Sequence, residues 1–372
     1  MASLNAFLVA VAIGLAAAPA LAAEPATELQ DLRRQCVAAA ETAQQDERAL
    51  LAAQHDIALL ERDAAATERE LQDTRGEQAQ LLGALARLAR NPPQDFGIAP
   101  EGPLDRIRTG MLVPAVGPAL GRDAQALLGE YARLATVKQD LGKKQDEAAL
   151  RRGNLQQDHA ALADLTVRRK AATGKLAVTE AFRPIGGADK AGDLGELIAA
   201  ASRADKDAAA AKKAAADPAR PKRLRVFDAA AAPMLEPPVA GPISLRFGAE
   251  DTDKPSSGLE FAALPGAVVV APLDGRVDYA GRFRDLGLVL IIWHGGLYHS
   301  VLAGLDRIDA KPGEWVLAGE PVGAMPDAAT ADSGTVLKLE LRRDGEPVDP
   351  FPSLIDSGDQ AGRDGAGDNR MR

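Results

Sequence analysis

The chain has 372 residues, enough for two or three domains, but only 3% of them are aromatic, and much of the 46% hydrophobic content is alanine, which argues against one large globule. A formal charge of −9 argues against a general nucleic-acid binder, which needs a basic face. The single cysteine, Cys36, excludes an internal disulfide and a cysteine-built zinc site.

The first 23 residues, "MASLNAFLVAVAIGLAAAPALAA", carry no charged side chain and end in small residues. A short apolar run before Ala20-Leu21-Ala22 suits a secretory signal, 1–23, cleaved near Ala22 or Ala23. The alternative is an uncleaved anchor. No later segment holds the ~20 apolar residues that a span requires.

From Leu29 to Leu88 the sequence steps by three and four through Leu29, Leu32, Cys36, Ala39, Ala43, Leu50, Ala53, Ile57, Leu60, Ala64, Leu71, Leu81, Leu85 and Leu88. Asp46, Thr67, Thr74 and Gln78 are the poor seam residues. Such a seam asks for a partner helix, and places Cys36 on it as a small buried side chain. "NPPQDFGIAPEGP" breaks the run. A second ladder follows at Leu127, Leu134, Leu141, Ala148, Leu155 and Leu162, reaching Leu176 after a polar step at Arg169. The pattern predicts a coiled coil over 24–180, broken near 91–118, either as an antiparallel hairpin or as a parallel dimer. Its charges alternate in sign, as on a solvated face, and His55 and His159 read as surface or seam residues. A rod of this length, roughly 80–90 Å per helix at 1.5 Å per residue, suits a spacer or docking arm.

A short helix is expected over 190–214, with Leu194, Leu197, Ile198 and Ala201 on one stripe and Asp193 as its cap. Residues 215–238 form a linker whose Arg220, Lys222, Arg223 and Arg225 read as a solvated cluster, the alternative being contact with an anionic lipid or polymer. From 239 to 354 the periodicity becomes extended, with short runs such as "ISLRFG", "AVVVAP", "LVLIIWH" and "VLKLELRR" punctuated by Gly, Pro and Asp. The tail, 355–372, is Gly- and Asp-rich and predicted to be disordered. The fold class is α plus all-β, in several domains.

The order of motifs in 239–354 resembles the LytM-type (lysostaphin-like) peptidase domain, a duplicated-hybrid-motif β fold. The motifs are "GPISLRFG", "SSGLEFAALPGAVVVAPLDGRVDYAG", "GLVLIIWHG", "KPGEWVLAGEPVGAM" and "LKLELRRDGEPVDP". The family holds zinc with a histidine and an aspartate of an early His-x-Gly-x-Asp motif and with the second histidine of a late His-x-His motif. Here those places hold Ser256, Glu260 and Lys338, while Val336 replaces the other late histidine. Gly304 stands at the intervening catalytic histidine. A catalytic zinc wants about three protein ligands and an open place for water, so the resemblance implies a degenerate domain without metal, cofactor or catalytic residues. Lys338 is expected to neutralise Glu260 as a tie across the groove. His294 and His299 read as ordinary strand or surface histidines.

Signal, coiled coil and degenerate domain together resemble the EnvC-like activators of murein hydrolases. That resemblance implies a pseudoenzyme of the periplasm, peripheral to the inner membrane. Its vacant groove would bind a regulatory helix of an N-acetylmuramoyl-L-alanine amidase. Its coiled coil would dock on a cell-division ABC transporter complex, and the helix at 190–214 would occupy the groove at rest. Ser256, Glu260, Gly304, Val336 and Lys338 are the expected groove residues, with Arg246, Arg282 and Arg284 nearby. The alternatives are a passive peptidoglycan-binding module and a zinc murein endopeptidase. Nucleic acid is not an expected partner.

Overall fold

The computed structural model describes residues 18–90, 103–175, 195, 196, 198, 220, 234–251, 254–327 and 335–354. Residues 1–17 of the expected signal, the tail from 355, most of the linker and all but Gly195, Glu196 and Ile198 of the expected short helix lie outside that set. Among the described residues, two long helices, α1 (Ala18–Arg90) and α2 (Pro103–Lys175), precede thirteen strands. Among the described residues no helix is long and apolar enough to cross a membrane.

The helical break is shorter than the prolines suggested. The prolines and glycines predict a break near 91–118, whereas α2 begins at Pro103. Proline is tolerated at the first helical position, where its missing N–H has no partner to lose. Pro114 and Pro118 each remove one hydrogen bond but do not end the helix.

Leu50–Arg152 form one compact unit. In it α1 and α2 meet through the expected ladders: Ala64, Leu71 and Leu134 are buried, with Leu127, Tyr131 and Val137 against them. Asp56 pairs with Lys144 at 3.3 Å, Asp63 with Arg133 at 3.1 Å and Glu68 with Lys138 at 2.6 Å. Each pair is largely exposed and contributes little stability by itself.

Met1–Ala49 and Gly153–Arg372 form the second unit. Leu29, Cys36, Ala43, Leu155 and Leu162 are buried in it, as the seam predicts. The same helical segments also bury Arg33, Gln44, Glu47 and Arg169, off the apolar pattern, and all but Gln44 hold the β domain. Arg33 donates to the Trp315 carbonyl at 2.7 Å, and Arg169 donates to the Glu320 carboxylate. Glu314 lies 3.8 Å from Arg169, and Lys170 pairs with Asp309 at 2.9 Å. Glu47 accepts from the Val268 amide at 2.9 Å and pairs with His159 at 3.0 Å. Among these charges burial pushes the Cys36 thiol up to about 11, so it stays protonated.

The strands are β1 (Ile243–Leu245), β2 (Glu250–Asp251), β3 (Lys254–Pro255), β4 (Leu259–Ala263), β5 (Val268–Val270), β6 (Gly275–Arg282), β7 (Leu288–Trp293), β8 (Tyr298–Leu305), β9 (Arg307–Ile308), β10 (Trp315–Val316), β11 (Pro321–Ala324), β12 (Thr335–Arg343) and β13 (Glu346–Val348). The main sheet is antiparallel, in the order β1-β4-β12-β8-β7-β6-β10, with β13 also paired to β12. A smaller sheet runs β5-β11-β9, and β2 pairs with β3. Val289, Leu290, Ile291 and Ile292 of β7 are each 0% exposed, which explains an unbroken apolar run: this strand is covered on both faces. Asp344 and Gly345 join β12 to β13 with φ of 53° and 91°, the two positive values that a tight type I′ turn demands.

Candidate functional site

The site is built on β12. Its side chains alternate, so Leu337, Leu339 and Leu341 point into the core, at most 2% exposed, while Val336, Lys338, Glu340 and Arg342 share the other face. Neighbouring strands bring more residues to that face. Lys338 is opposite Glu260 of β4 on one side and Ala303 of β8 on the other. Ala303 is in turn opposite Val289 of β7, and Glu340 opposite Val301.

The Lys338 ammonium lies 3.1 Å from Glu340 Oε1 and donates to Ser257 Oγ at 3.0 Å. Ser257 also donates to Glu340, and Arg342 Nε donates to Glu340 Oε2 at 2.9 Å. Burial alone would raise the Glu340 carboxyl, but Ser257, Arg342 and Lys338 together hold it below the ordinary carboxylate range. The expected Lys338–Glu260 tie is therefore replaced. Glu340, two residues along the same strand face and backed by Arg342, offers a more desolvated and better-bonded carboxylate. Among the described residues the half-buried Glu260 carboxylate has no ion pair or hydrogen bond.

The other expected site residues divide into two groups. Ser256 closes its own turn, its hydroxyl donating to the Gly258 carbonyl at 3.1 Å. Val336 is 39% exposed at the start of β12. Gly304 lies beside it, with φ of 93°, and a Cβ there would run into the Val336 carbonyl oxygen. Gly304 is an extra residue in β8: Leu288 and Val289 of β7 are opposite Leu305 and Ala303, leaving Gly304 bulged. The three arginines do not join the Lys338 cluster. Arg246 stacks over the Phe351 ring at 4.1 Å, Arg282 is exposed at the end of β6, and Arg284 lies 6.0 Å from the Phe283 ring centroid.

This donor set does not fit a catalytic zinc. The places the resemblance gives to ligands hold a hydroxyl turned to its own backbone, one carboxylate and one ion-paired ammonium, which repels a cation. Among the described residues no group of three or more His, Cys, Asp and Glu side chains could hold a metal.

The same face carries an apolar socket that sequence reasoning did not specify. Ile198, in a helical turn, is 0% exposed and packs with Phe283, Val289, Ile291, Val301 and Ala303, with Tyr279 against the group. Ser257, Glu340 and Arg342 were also missed. Their signal was the charge order Lys338, Glu340, Arg342 at spacing two, which puts opposite charges side by side on one strand face.

Both remaining domain histidines are buried. His294 bonds the Asp274 carbonyl at 2.9 Å and Ser300 Oγ at 2.7 Å, and its burial lowers its pKa to about 4. His299 stands 3.5 Å from Asp278. A cavity of about 200 Å³ lies between α2 and the smaller sheet, lined by His159, Thr166, Val268, Asp309 and Met325 among others, and none of the expected site residues lines it.

Comparison with known proteins places the family resemblance on these same strands. Residues 254–350 match the family model described as Peptidase family M23. Over 118 residues the chain is 33% identical to "Murein hydrolase activator NlpD" of Escherichia coli, which is 32% of this chain and 30% of that protein. It is 32% identical over 95 residues to "Peptidoglycan DD-endopeptidase ShyB" of Vibrio cholerae, which is 26% of this chain and 22% of that protein. Among solved structures, a putative peptidase M23 from Pseudomonas aeruginosa is 31% identical, with a TM-score of 0.29, covering 38% of this chain and 56% of the other. The chain thus spans about a third or less of these curated relatives, and the family model matches within the β domain.

Proposed function

We propose that this chain is an exported, non-hydrolytic activator of peptidoglycan-cleaving enzymes, with N-acetylmuramoyl-L-alanine amidases of the periplasm as its partners. The observation that carries the reading is the Lys338–Glu340 pair. It puts a fixed cation where the family keeps a zinc ligand, so the groove has the means to bind but none to activate water. The resemblance to a murein hydrolase activator over 118 residues supports it.

In this reading the sheet face around Lys338 receives a regulatory helix of the amidase, apolar side down. Val336, Ser256, Glu260 and Gly304 border the contact, and Arg246, Arg282 and Arg284 lie outside it. The segment 190–214 competes for the same face as a self-inhibitor, supported by Ile198 in the socket of Val289, Ile291 and Val301. α1 and α2 form a long antiparallel coiled-coil hairpin, supported by the Asp56–Lys144 and Glu68–Lys138 pairs. It docks on a cell-division ABC transporter complex of the inner membrane, in the manner of EnvC-like activators, and a pull on it frees the groove.

The test is dye release from labelled sacculi by a purified periplasmic amidase, with and without this protein. Activation is expected, and Ile198→Asp should reach half-maximal activation at lower concentration by unseating the competitor. An amidase that ignores the protein and its Ile198→Asp variant alike would refute the activator role. Activation by both at one concentration would refute the self-inhibition alone.

A further inference from the structure

We propose that the groove selects a helix bearing an aliphatic anchor and a basic residue about two turns apart, the basic residue pairing with Glu260. This rests on the helix-docking reading above and adds the chemistry of the partner.

Two features of one sheet face define the selectivity. The first is the Ile198 socket, bordered by Ala303 and Val289. The chain itself seats an aliphatic side chain from a helical turn there. The second is Glu260, in the same row: Glu260 is opposite Lys338, Lys338 opposite Ala303, and Ala303 opposite Val289. Lys338 does not serve it, being held by Glu340 and Ser257. On its other side Glu260 neighbours Leu245 of β1, which carries no charge. Glu260 is thus a carboxylate on the docking face without a counter-ion among the described residues.

A helix laid across this face removes water from Glu260. A half-buried carboxylate that loses water without gaining a partner opposes binding, whereas a cation brought to it favours binding and rejects acidic competitors. The spacing follows from the sheet. Strands lie about 4.8 Å apart, so Glu260 and Ala303 are roughly 10 Å apart across the face. On a helix rising 1.5 Å per residue, that span is about seven residues, which also returns to the same helix face.

The probes are synthetic amphipathic helices with Ile at one position and Lys, Gln or Glu seven residues away, made in both orders. They are titrated by fluorescence anisotropy into the full chain carrying Ile198→Ala, which leaves the socket open, with folding checked by circular dichroism. The Lys helix should bind about three- to tenfold tighter than the Gln helix and the Glu helix weakest. Glu260→Gln should level the series, and Glu260→Lys should invert it. Equal affinities for all three helices, with binding still lost when Ile is replaced by Ser, would overturn the selectivity and leave the docking reading standing. If no helix binds, or binding ignores the Ile, the docking reading falls and this inference with it.

Discussion

Lys338 and Glu340 lie two residues apart on one face of β12, ammonium to carboxylate 3.1 Å, with Ser257 bonded to both. The pair is mostly buried, so removing one member strands the other. Lys338→Met should cost less than Glu340→Gln, because Arg342 and Ser257 still hold Glu340 when the lysine is gone, whereas the loss of Glu340 leaves Lys338 and Arg342 facing each other. Expected losses are about 1–2 and about 2–4 kcal/mol. Denaturation followed by tryptophan fluorescence reads this directly, since both tryptophans, Trp293 and Trp315, lie in strands of the β domain. Equal, negligible losses would show the cluster to be solvated.

Arg169 should be the costliest residue of the helix–β joint. Burial opposes its charge, but Glu320 and Glu314 outweigh that and raise its pKa. Arg169→Ala leaves Glu314 without its cation and Glu320 with only Arg33, 3.8 Å away, at about 3–5 kcal/mol. Cys36, 0% exposed beside this cluster, is a built-in reporter. Its reaction with a thiol reagent should be slow in the native chain and faster by at least tenfold in the variant.

The apolar half of this architecture was legible in the sequence. The burial of Leu29, Leu50, Leu71, Leu134, Leu155, Leu162 and Cys36 and the alternation in β12 all follow from spacing, while the seam side chains of Leu81, Leu85, Leu88 and Leu176 lie outside the described residues. The joint was not. Arg169 looked like a polar interruption, because periodicity tests a helix against one partner and this segment has two. Lys338 was given the wrong carboxylate for a related reason: the motif points to Glu260 across the strands, while local alternation favours Glu340. The bulge at Gly304 also left no trace beyond the glycine itself.

Gly304 is fixed by its backbone. Returning a histidine there, as the resembling peptidases have, needs φ near 93° and space that the Val336 carbonyl fills. Gly304→Ala and Gly304→His should both lower the melting temperature, with about 1–3 kcal/mol for the backbone strain alone. An unchanged melting temperature for Gly304→His would show that the strand relaxes freely.

His294 makes the β domain acid-sensitive. Its folded pKa, about 4, lies below the 6.5 of an unperturbed imidazole, so protonation favours the unfolded chain. Its contribution is intact above about pH 6.5 and falls by roughly 1.4 kcal/mol per pH unit as the pH drops toward 4. The carboxylates work in a lower window: Glu340, with its pKa lowered, loses its contribution only as the pH falls through its folded value, below the ordinary carboxylate range. Stability measured from pH 8 to 4 should show the histidine slope in the native chain and lose it in His294→Asn.

The most direct test of the central claim is muropeptide analysis of purified sacculi incubated with this protein alone in excess zinc, and then with an N-acetylmuramoyl-L-alanine amidase added. The account predicts no product from the protein alone and at least tenfold faster release of stem peptides when both are present. Zinc-dependent cleavage of peptide cross-links by the protein alone would contradict it.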